Sequence, residues 1–105
     1  MRYILGLLVV MVFCSFKASY YHDKYEGRIT YSGDIFSQNK LTCASNTHPM
    51  GTMLKVTNVE NNKSVIVKVN DTGRFTKVTL DLSKRAFKKI ADLDKGIIEV
   101  IIKKF

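Results

Sequence analysis

The stretch that most constrains the fold is 64–83, which reads SVIVKVNDTGRFTKVTLDLS. Valine occupies three alternate positions beginning at Val65, the period-two pattern of a β-strand with one buried face. The alternation stops at 70–73, Asn-Asp-Thr-Gly, whose side chains favour a turn. A second acid, Asp81, lies between two leucines in another short apolar run. The stretch therefore predicts two strands that each deliver a carboxylate, Asp71 or Asp81, to a strand end beside a turn.

The other strands are expected from short alternating or apolar runs of the same kind. Strands are predicted at 18–21, 41–45, 53–59, 64–70, 78–82 and 97–103, and one helix at 84–91 with Ser83 as its N-cap. The last strand is almost continuously apolar, which predicts burial on both of its faces. So many short buried strands in one small domain favour a closed or nearly closed β-barrel.

The N-terminus has a different composition from the rest of the 105-residue chain. A basic start is followed by an apolar run at 4–13, which is too short for a membrane-spanning helix of about 20 residues. This pattern is typical of a secretory signal peptide. We therefore expect a leader at 1–17 and a single mature domain at 18–105.

The end of the leader is left open by the residues around it. Cleavage after Cys14 or Ser15 competes with cleavage near Ala18, where Phe16 breaks the small-x-small rule. Cys14 also allows lipidation, although the residue before it is large. Without Cys14, Cys43 has no disulfide partner, so the core must hold by burial alone. These features predict export to the bacterial cell envelope, in the periplasm or as an outer-membrane lipoprotein, with membrane attachment only through Cys14.

The chain is basic, with 17 lysines and arginines against 9 acidic residues and a net charge of +8. This balance favours an anionic partner, either nucleic acid, acidic lipid or an anionic wall polymer. Because the leader argues against nucleic acid, we expect none. Peptidoglycan and its attached acidic polymers fit an exported basic domain, while any single lysine fits a merely solvated surface equally well. Two histidines and one cysteine in the mature chain show no metal-ligand spacing, so no metal or other cofactor is expected. A monomer is expected.

An ordered series of short motifs carries a resemblance to a known family. The motifs are Ala18-Ser19-Tyr20-Tyr21, Gly27-Arg28-x-Thr30-x-Ser32-Gly33-Asp34-x-Phe36, Leu41-Thr42-x-Ala44, Pro49-x-Gly51-Thr52, Val56-Thr57-Asn58, Val65-x-Val67-x-Val69-Asn70-Asp71-x-Gly73-x-Phe75 and Leu80-Asp81-Leu82-Ser83. In this order and spacing they resemble the rare lipoprotein A (RlpA) family over 18–105. The resemblance implies an all-β fold, a six-stranded double-psi β-barrel with one short helix, related to expansin-like domains.

The resemblance also implies lytic transglycosylation of peptidoglycan, the cutting of glycan strands between N-acetylmuramic acid and N-acetylglucosamine. In this chemistry the sugar's own 6-hydroxyl attacks its anomeric carbon and closes a 1,6-anhydro ring. One carboxylic acid can protonate the departing oxygen and then accept the hydroxyl proton, while a second, ionised carboxylate stabilises an oxocarbenium-like transition state. Asp71 is expected to be the acid/base and Asp81 the supporting carboxylate. The structural alternatives are an Asx-turn from Asp71 to the backbone near Gly73, and a hydrogen-bonding role for Asp81.

Several positions depart from the family pattern. Asp34 stands where the family typically has glutamate, Ser45 where it has histidine, and the turn after Asp71 has lost an arginine and a proline. Asp34 is the third, shorter catalytic candidate, and His48 is expected to be a turn residue beside Pro49. The substrate-binding candidates are Ser45, Thr72 and Arg74 with two of the four N-terminal tyrosines, Tyr21 and Tyr31, whose rings suit either sugar stacking or core packing. The departures favour an alternative function, a non-catalytic, expansin-like glycan-binding module.

Overall fold

The computed structural model describes residues 15–105, which form six strands, one α-helix and two short 3₁₀ helices. The strands are β1 (Phe16–Tyr20), β2 (Thr42–Ser45), β3 (Met53–Asn58), β4 (Ser64–Asp71), β5 (Leu80–Leu82) and β6 (Ile98–Lys104), the helix is α1 (Lys84–Ile90), and the 3₁₀ helices are Asp23–Tyr25 and Leu93–Lys95. Each predicted strand and the predicted helix is present, and no end differs from its prediction by more than two residues. Cys14 and most of the predicted leader lie outside the described residues, so the leader remains a prediction.

The six strands close into a barrel in the order β1–β5–β2–β4–β3–β6, and β6 pairs back to β1. The β1–β5 and β2–β4 pairs are parallel, and the other four pairs are antiparallel. Closure leaves no unpaired sheet edge. The predicted all-β barrel with one short helix is therefore confirmed. Within 15–105, no helix is long and apolar enough to cross a membrane.

Alternating side chains fill the interior of the barrel. In β4, Val65, Val67 and Val69 are buried while Ile66 and Lys68 face solvent, as the period-two pattern predicts. Helix α1 closes part of this core, because Ala86, Phe87 and Ile90 are buried on one of its faces. Its N-cap is Ser83, whose Oγ accepts the N–H of Ala86 at 3.2 Å, which confirms that prediction.

Strand β6 differs from its prediction. Ile98 and Val100 are buried, but Glu99 and Ile101 face solvent, so the expected burial on both faces was wrong. Continuous apolar runs are typical of strands covered on both sides, whereas this strand lies in a barrel wall whose outer face is not covered by any other part of residues 15–105.

Strand β1 begins inside the predicted leader. Phe16 pairs with Val100 and Lys17 pairs with Glu99, so the barrel starts two residues before the predicted domain boundary at 18. Cleavage after Cys14 or Ser15 would keep these pairs, and cleavage after Lys17 would remove them.

A β-bulge at the end of β4 decides where the first acid points. Cys43 of β2 is the register partner of Val69, but the next residue, Ala44, is the partner of Asp71, so Asn70 is an extra residue on β4. Strict alternation would place Asp71 on the inner face with the valines. The bulge instead turns it to the outer face that it shares with Ala44. The strand therefore runs through Asp71, one residue beyond its predicted end at 70, and the first two positions of the predicted turn at 70–73 belong to it.

Candidate active site

Asp71 and Asp81 lie on either side of Ala44, which is the register partner of both residues. Two strand spacings separate their backbones, about 10 Å in all. Partners in register share one face of a sheet, so both carboxylates stand on the same outer surface above the Ala44 methyl group. The small side chain of Ala44 leaves space between them, and the three residues line a cavity of about 290 Å³.

A second cavity of about 210 Å³ adjoins the first, and Tyr21, Tyr25 and Asp71 line both. The first is completed by Thr72, Gly73, Arg74 and Phe75, and the second by Arg28, Ile29, Thr30 and Phe36. Together they form a groove, called here the acidic groove, that runs past Asp71 across the outside of the barrel.

Three donors point at the carboxylate of Asp71. The hydroxyl of Tyr21 donates to Oδ2 at 2.7 Å, and the N–H groups of Tyr31 and Thr72 donate to Oδ1 at 2.9 Å each. Such an array fits an ionised carboxylate, which accepts charge-assisted hydrogen bonds on both oxygens. The Asx-turn alternative is not formed, because the N–H of Gly73 donates to Asn46 Oδ1 instead.

Asp81 lies in a different environment, half-buried between β1 and β2. Burial raises the pKa of its carboxyl to about 6, the hydroxyl of Ser19, which donates to Oδ1 at 3.0 Å, opposes the rise, and the nearby charge of Asp71 adds to it. A carboxyl with this pKa holds a proton in mildly acidic solution, as a general acid must. The sequence placed the acid at Asp71, whereas the raised pKa belongs to Asp81.

The sequence profile of the lytic transglycolase family matches residues 15–102 of this chain. The chain belongs to the lytic transglycolase family. Among curated relatives, the "Endolytic peptidoglycan transglycosylase RlpA" of Haemophilus influenzae is 45% identical over 86 residues, 81% of this chain and 30% of that protein. The "Probable endolytic peptidoglycan transglycosylase RlpA" of Treponema pallidum is 42% identical over 88 residues, 83% of this chain and 28% of that protein. The chain thus spans about three tenths of the length of these relatives.

Solved structures with the same architecture include two proteins of different kinds. The apo expansin of Clavibacter michiganensis superposes with a TM-score of 0.69 at 25% identity, over 87% of this chain and 49% of that one. The Streptomyces papain inhibitor superposes with a TM-score of 0.66 at 23% identity, over 89% of this chain and 97% of that one, and shows the fold alone. With the family match, these neighbours confirm the predicted double-psi β-barrel.

In this lytic transglycolase domain, the two tyrosines predicted as substrate-binding candidates, Tyr21 and Tyr31, both donate hydrogen bonds to Asp71. Tyr21 is buried and its ring stacks on Phe36, with centroids 4.1 Å apart, so that face is not open to a ligand. Burial and the hydrogen bond to Asp71 raise the pKa of Tyr21 well above its usual range, so its hydroxyl stays a donor. Tyr31 contributes its backbone N–H, while its ring is exposed and lines neither cavity of the groove.

Tyr25 is the aromatic residue that the sequence reasoning undervalued. It lines both cavities and stands edge-on to Tyr21, with ring centroids 5.8 Å apart. The guanidinium of Arg28 lies 5.4 Å from the centre of its ring. Its position depends on the 3₁₀ helix at Asp23–Tyr25, and no pattern in that polar loop signals the helix.

Some positions that depart from the family pattern lie in the groove and others lie outside it. Thr72 and Arg74 line the groove, as predicted for substrate-binding residues. Asp34 is exposed and its Oδ2 accepts from the amide of Asn70 at 3.3 Å, and it lines neither cavity. Ser45 is buried and also lines neither cavity.

Ser45 instead holds the turn that follows β2. Its Oγ accepts the N–H groups of Thr47 and His48 at 3.2 Å each, and it lies 3.3 Å from His48 Nδ1. His48 is therefore a turn residue, as the sequence indicated.

Asn46 is a further residue that the sequence reasoning missed. Its side-chain amide donates to the carbonyl of Gly73 at 2.6 Å and accepts the N–H of the same residue at 3.1 Å. These two hydrogen bonds hold the segment after β4, which places Thr72 and Phe75 in the groove. A Cβ placed on Gly73 would lie 2.5 Å from the Phe75 ring, so a side chain here would displace that ring.

Two further observations concern the metal-ligating side chains and the cysteine of residues 15–105. No three side chains of His, Cys, Asp or Glu are grouped there as metal ligands. Burial raises the pKa of the Cys43 thiol to about 12, so it remains protonated and unreactive near neutral pH.

Proposed function

We propose that this chain is an endolytic peptidoglycan transglycosylase domain that cleaves glycan strands between N-acetylmuramic acid and N-acetylglucosamine and leaves 1,6-anhydro ends. The observation that carries the proposal is the placement of Asp71 and Asp81 across Ala44 in one groove, in two different environments. Similarity to proteins named as transglycosylases supports the same reaction, although this chain spans only part of their length.

The two environments favour roles opposite to those expected from the sequence. The proton of Asp81 passes to the glycosidic oxygen as the bond from that oxygen to the anomeric carbon breaks. The oxygen of the 6-hydroxyl then bonds to the anomeric carbon, and its proton returns to Asp81. Asp71, whose carboxylate accepts three hydrogen bonds, faces the positive charge of the oxocarbenium-like transition state.

The rest of the groove supplies contacts for a glycan. Tyr25 and Phe75 present ring surface to the pyranose faces, and Thr72 offers a hydroxyl. Arg28 and Arg74, one at each cavity, are suited to the carboxylates of muramic acid.

The test is digestion of peptide-stripped glycan strands, followed by mass spectrometry of the soluble products. The wild-type protein should release fragments with 1,6-anhydro-muramic acid ends, and Asp81→Asn and Asp71→Asn should release none. Asp34→Asn is the matched control, because it removes an exposed acid outside the groove, and it should keep most of the activity. If activity survives in Asp81→Asn but is lost in Asp71→Asn, Asp71 is the acid/base, as expected from the sequence.

A non-catalytic, expansin-like glycan-binding module is the second candidate. It is favoured by the placement of Asp34 and Ser45 outside the groove and by the superposition on the Clavibacter expansin. If wild type and Asp81→Asn both bind glycan strands in a sedimentation assay and neither cleaves them, the non-catalytic function is correct.

We also propose that the protein is exported to the periplasm and acts as a monomer, with attachment to the outer membrane through a lipid on Cys14. Fractionation of cells that express the wild type or Cys14→Ser tests this. Release of Cys14→Ser into the soluble periplasmic fraction would support lipidation, and identical fractionation of both proteins would exclude it.

A further inference from the structure

The outer surface of β4, β3 and β6 has a composition unlike that of the groove side. Cross-strand register arranges it in three rows, Ser64–Thr57–Ile101, Ile66–Lys55–Lys103, and Lys68–Met53 with Phe105 beside it. We call this surface the lysine–isoleucine face. It holds three lysines, four apolar side chains and two hydroxyls, and no acid.

The apolar members of this face are open to solvent. Ile66, Met53 and Ile101 are each 39–42% exposed, and Phe105 is 64% exposed. Isoleucine and methionine at the outward positions of a solvated strand gain nothing from burial within the barrel. Their interleaving with lysines gives the face both an apolar and a cationic character.

The lysines of the face are placed against one another. Lys55 and Lys103 are direct register partners, and like charges opposite each other in a sheet destabilise it. Among the described residues, neither they nor Lys68 forms an ion pair, since the ion pairs there join Lys84 to Asp23 and Lys95 to Glu60. An anionic surface laid on this face would relieve the repulsion. The nearest acid on the same side of β6 is Glu99, beyond Ile101 and paired in register with Lys17.

The β3 and β6 part of the face lies across the barrel from the β5 and β2 part of the acidic groove. In the closed order of six strands, β3 is three positions from β5, and β6 is three positions from β2. The groove lies over β2, β5 and the end of β4, so β4 is the one strand that both surfaces share. A planar partner centred on β3 would leave the β5 side of the groove, with Asp81, uncovered.

We propose that the lysine–isoleucine face docks the protein on a membrane surface rich in anionic phospholipid. The lysines would contact lipid phosphates while Ile66, Met53, Ile101 and Phe105 enter the headgroup region, as in other interfacial surfaces that combine basic and apolar side chains. A soluble polyanion is the competing occupant. It would satisfy the lysines but leave the apolar side chains in water, so lipid fits the whole face better.

The experiment is co-sedimentation with vesicles of mixed phosphatidylglycerol and phosphatidylcholine, compared with vesicles of phosphatidylcholine alone. The chain is started at Ser15, because residues 15–105 contain all six strands of the closed barrel and the apolar run at 4–13 would itself bind vesicles. Circular dichroism and thermal melting confirm that each variant is folded. The wild type should bind the anionic vesicles and not the neutral ones.

Two double variants with the same change in charge show whether vesicle binding depends on this face or only on the net positive charge of the protein. Lys55→Glu with Lys103→Glu should lower the vesicle partition coefficient at least about tenfold. Lys88→Glu with Lys89→Glu, on the exposed side of α1, should change it much less. Equal loss in both variants, or no binding by the wild type, would overturn the proposal.

A third variant separates lipid from a soluble polyanion. Ile66→Thr with Ile101→Thr keeps the β-branched shape and the charge, and it should weaken vesicle binding about threefold or more while leaving binding to soluble polyphosphate unchanged. Unchanged vesicle binding in this variant would overturn the lipid assignment and identify a polyanion site.

Discussion

The hydroxyl of Ser19 donates to Asp81 Oδ1 at 3.0 Å across the parallel β1–β5 pair, in which the two residues are register partners. This bond stabilises the charged carboxyl and opposes the burial that raises its pKa to about 6. The acidity of the groove is therefore tuned from β1, a strand whose own side chains line neither cavity.

Replacing Ser19 should make Asp81 a weaker acid. In Ser19→Ala the carboxyl loses the donor that lowers its pKa, so the pKa should rise above about 6. Carbon-13 NMR titration of the Asp81 carboxyl measures this directly, with or without activity. Ser19→Thr keeps the hydroxyl and should restore the wild-type titration. A pKa that falls in Ser19→Ala would contradict the assigned role.

Activity should depend on the protonated form of Asp81. Since its pKa is about 6, kcat/KM should fall as the pH rises through that value, with roughly tenfold loss per pH unit above it. The measurement is the rate of anhydro-product release on peptide-stripped glycan from mildly acidic to mildly alkaline pH. A rate that rises across this range would show that Asp81 acts as an ionised base.

Asp81→Asn should stabilise the protein at neutral pH while it abolishes cleavage. Because the pKa of Asp81 is raised in the folded state from 3.8 to about 6, the folded chain binds more protons than the unfolded chain between those values. Stability is therefore lost as the pH rises through this window, and the loss persists at pH 7. The neutral amide avoids it, so the free energy of unfolding at pH 7 should increase by about 1–3 kcal/mol.

Urea unfolding of the two proteins at several pH values measures this difference. It should vanish below a pH of about 4, where Asp81 is protonated in both states. A variant that is less stable than the wild type at pH 7 would mean that the charge of Asp81 is favourable in the fold.

Tyr21→Phe should separate the effect of the hydrogen bond from Tyr21 to Asp71 from the effect of ring packing. The variant keeps the ring stacked on Phe36 but removes the hydroxyl that donates to Asp71 at 2.7 Å. The free energy of unfolding should fall by about 1–2 kcal/mol, and kcat should fall about tenfold or more because one of three donors to the carboxylate is lost. Denaturant unfolding and product release give the two values, and unchanged kcat would show that the donor has no part in catalysis.

Gly73→Ala should damage the groove with little effect on the barrel. A Cβ at this position would lie 2.5–2.7 Å from atoms of the Phe75 ring, which must move away from the wall of the groove. We expect weaker glycan binding, by about tenfold, and a change in stability below about 1 kcal/mol because Phe75 lies outside the main core. Binding isotherms on Asp81→Asn, with and without Gly73→Ala, measure this without turnover, and equal affinities would contradict it.

The strands of this protein are readable from its sequence because their signals are local. The alternating valines from Val65 mark β4, and the serine at position 83 marks the start of α1, each by a rule that needs no distant partner. The continuous apolar run in β6 led to a wrong prediction of burial on both faces. Whether the outer face of a strand is buried depends on which other elements pack against it, and the sequence of the strand does not show this.

The positions of Asp71 and Asp81 relative to each other could not be predicted from the sequence. Period-two alternation applied to β4 places Asp71 on the inner face, and only the extra residue Asn70 turns it toward Ala44. That bulge is a property of the pairing between β2 and β4, so it cannot be read from β4 alone. The same holds for Tyr21, whose burial against Phe36 follows from how the connection between β1 and β2 lies on the barrel.

The pairing of β1 with β6 sets the order in which the fold can form. Ala18 and Ile98 are register partners 80 residues apart, so the wall of the barrel closes only after nearly the whole chain is available. Contacts this distant in sequence carry a large loop-closure cost before they stabilise anything, which predicts folding in milliseconds to seconds rather than microseconds. A chain that emerges from a ribosome or a translocation pore with its N-terminus first would therefore hold β1 to β5 at most as an open sheet, with the free edges of β1 and β3 unpaired, until β6 arrives.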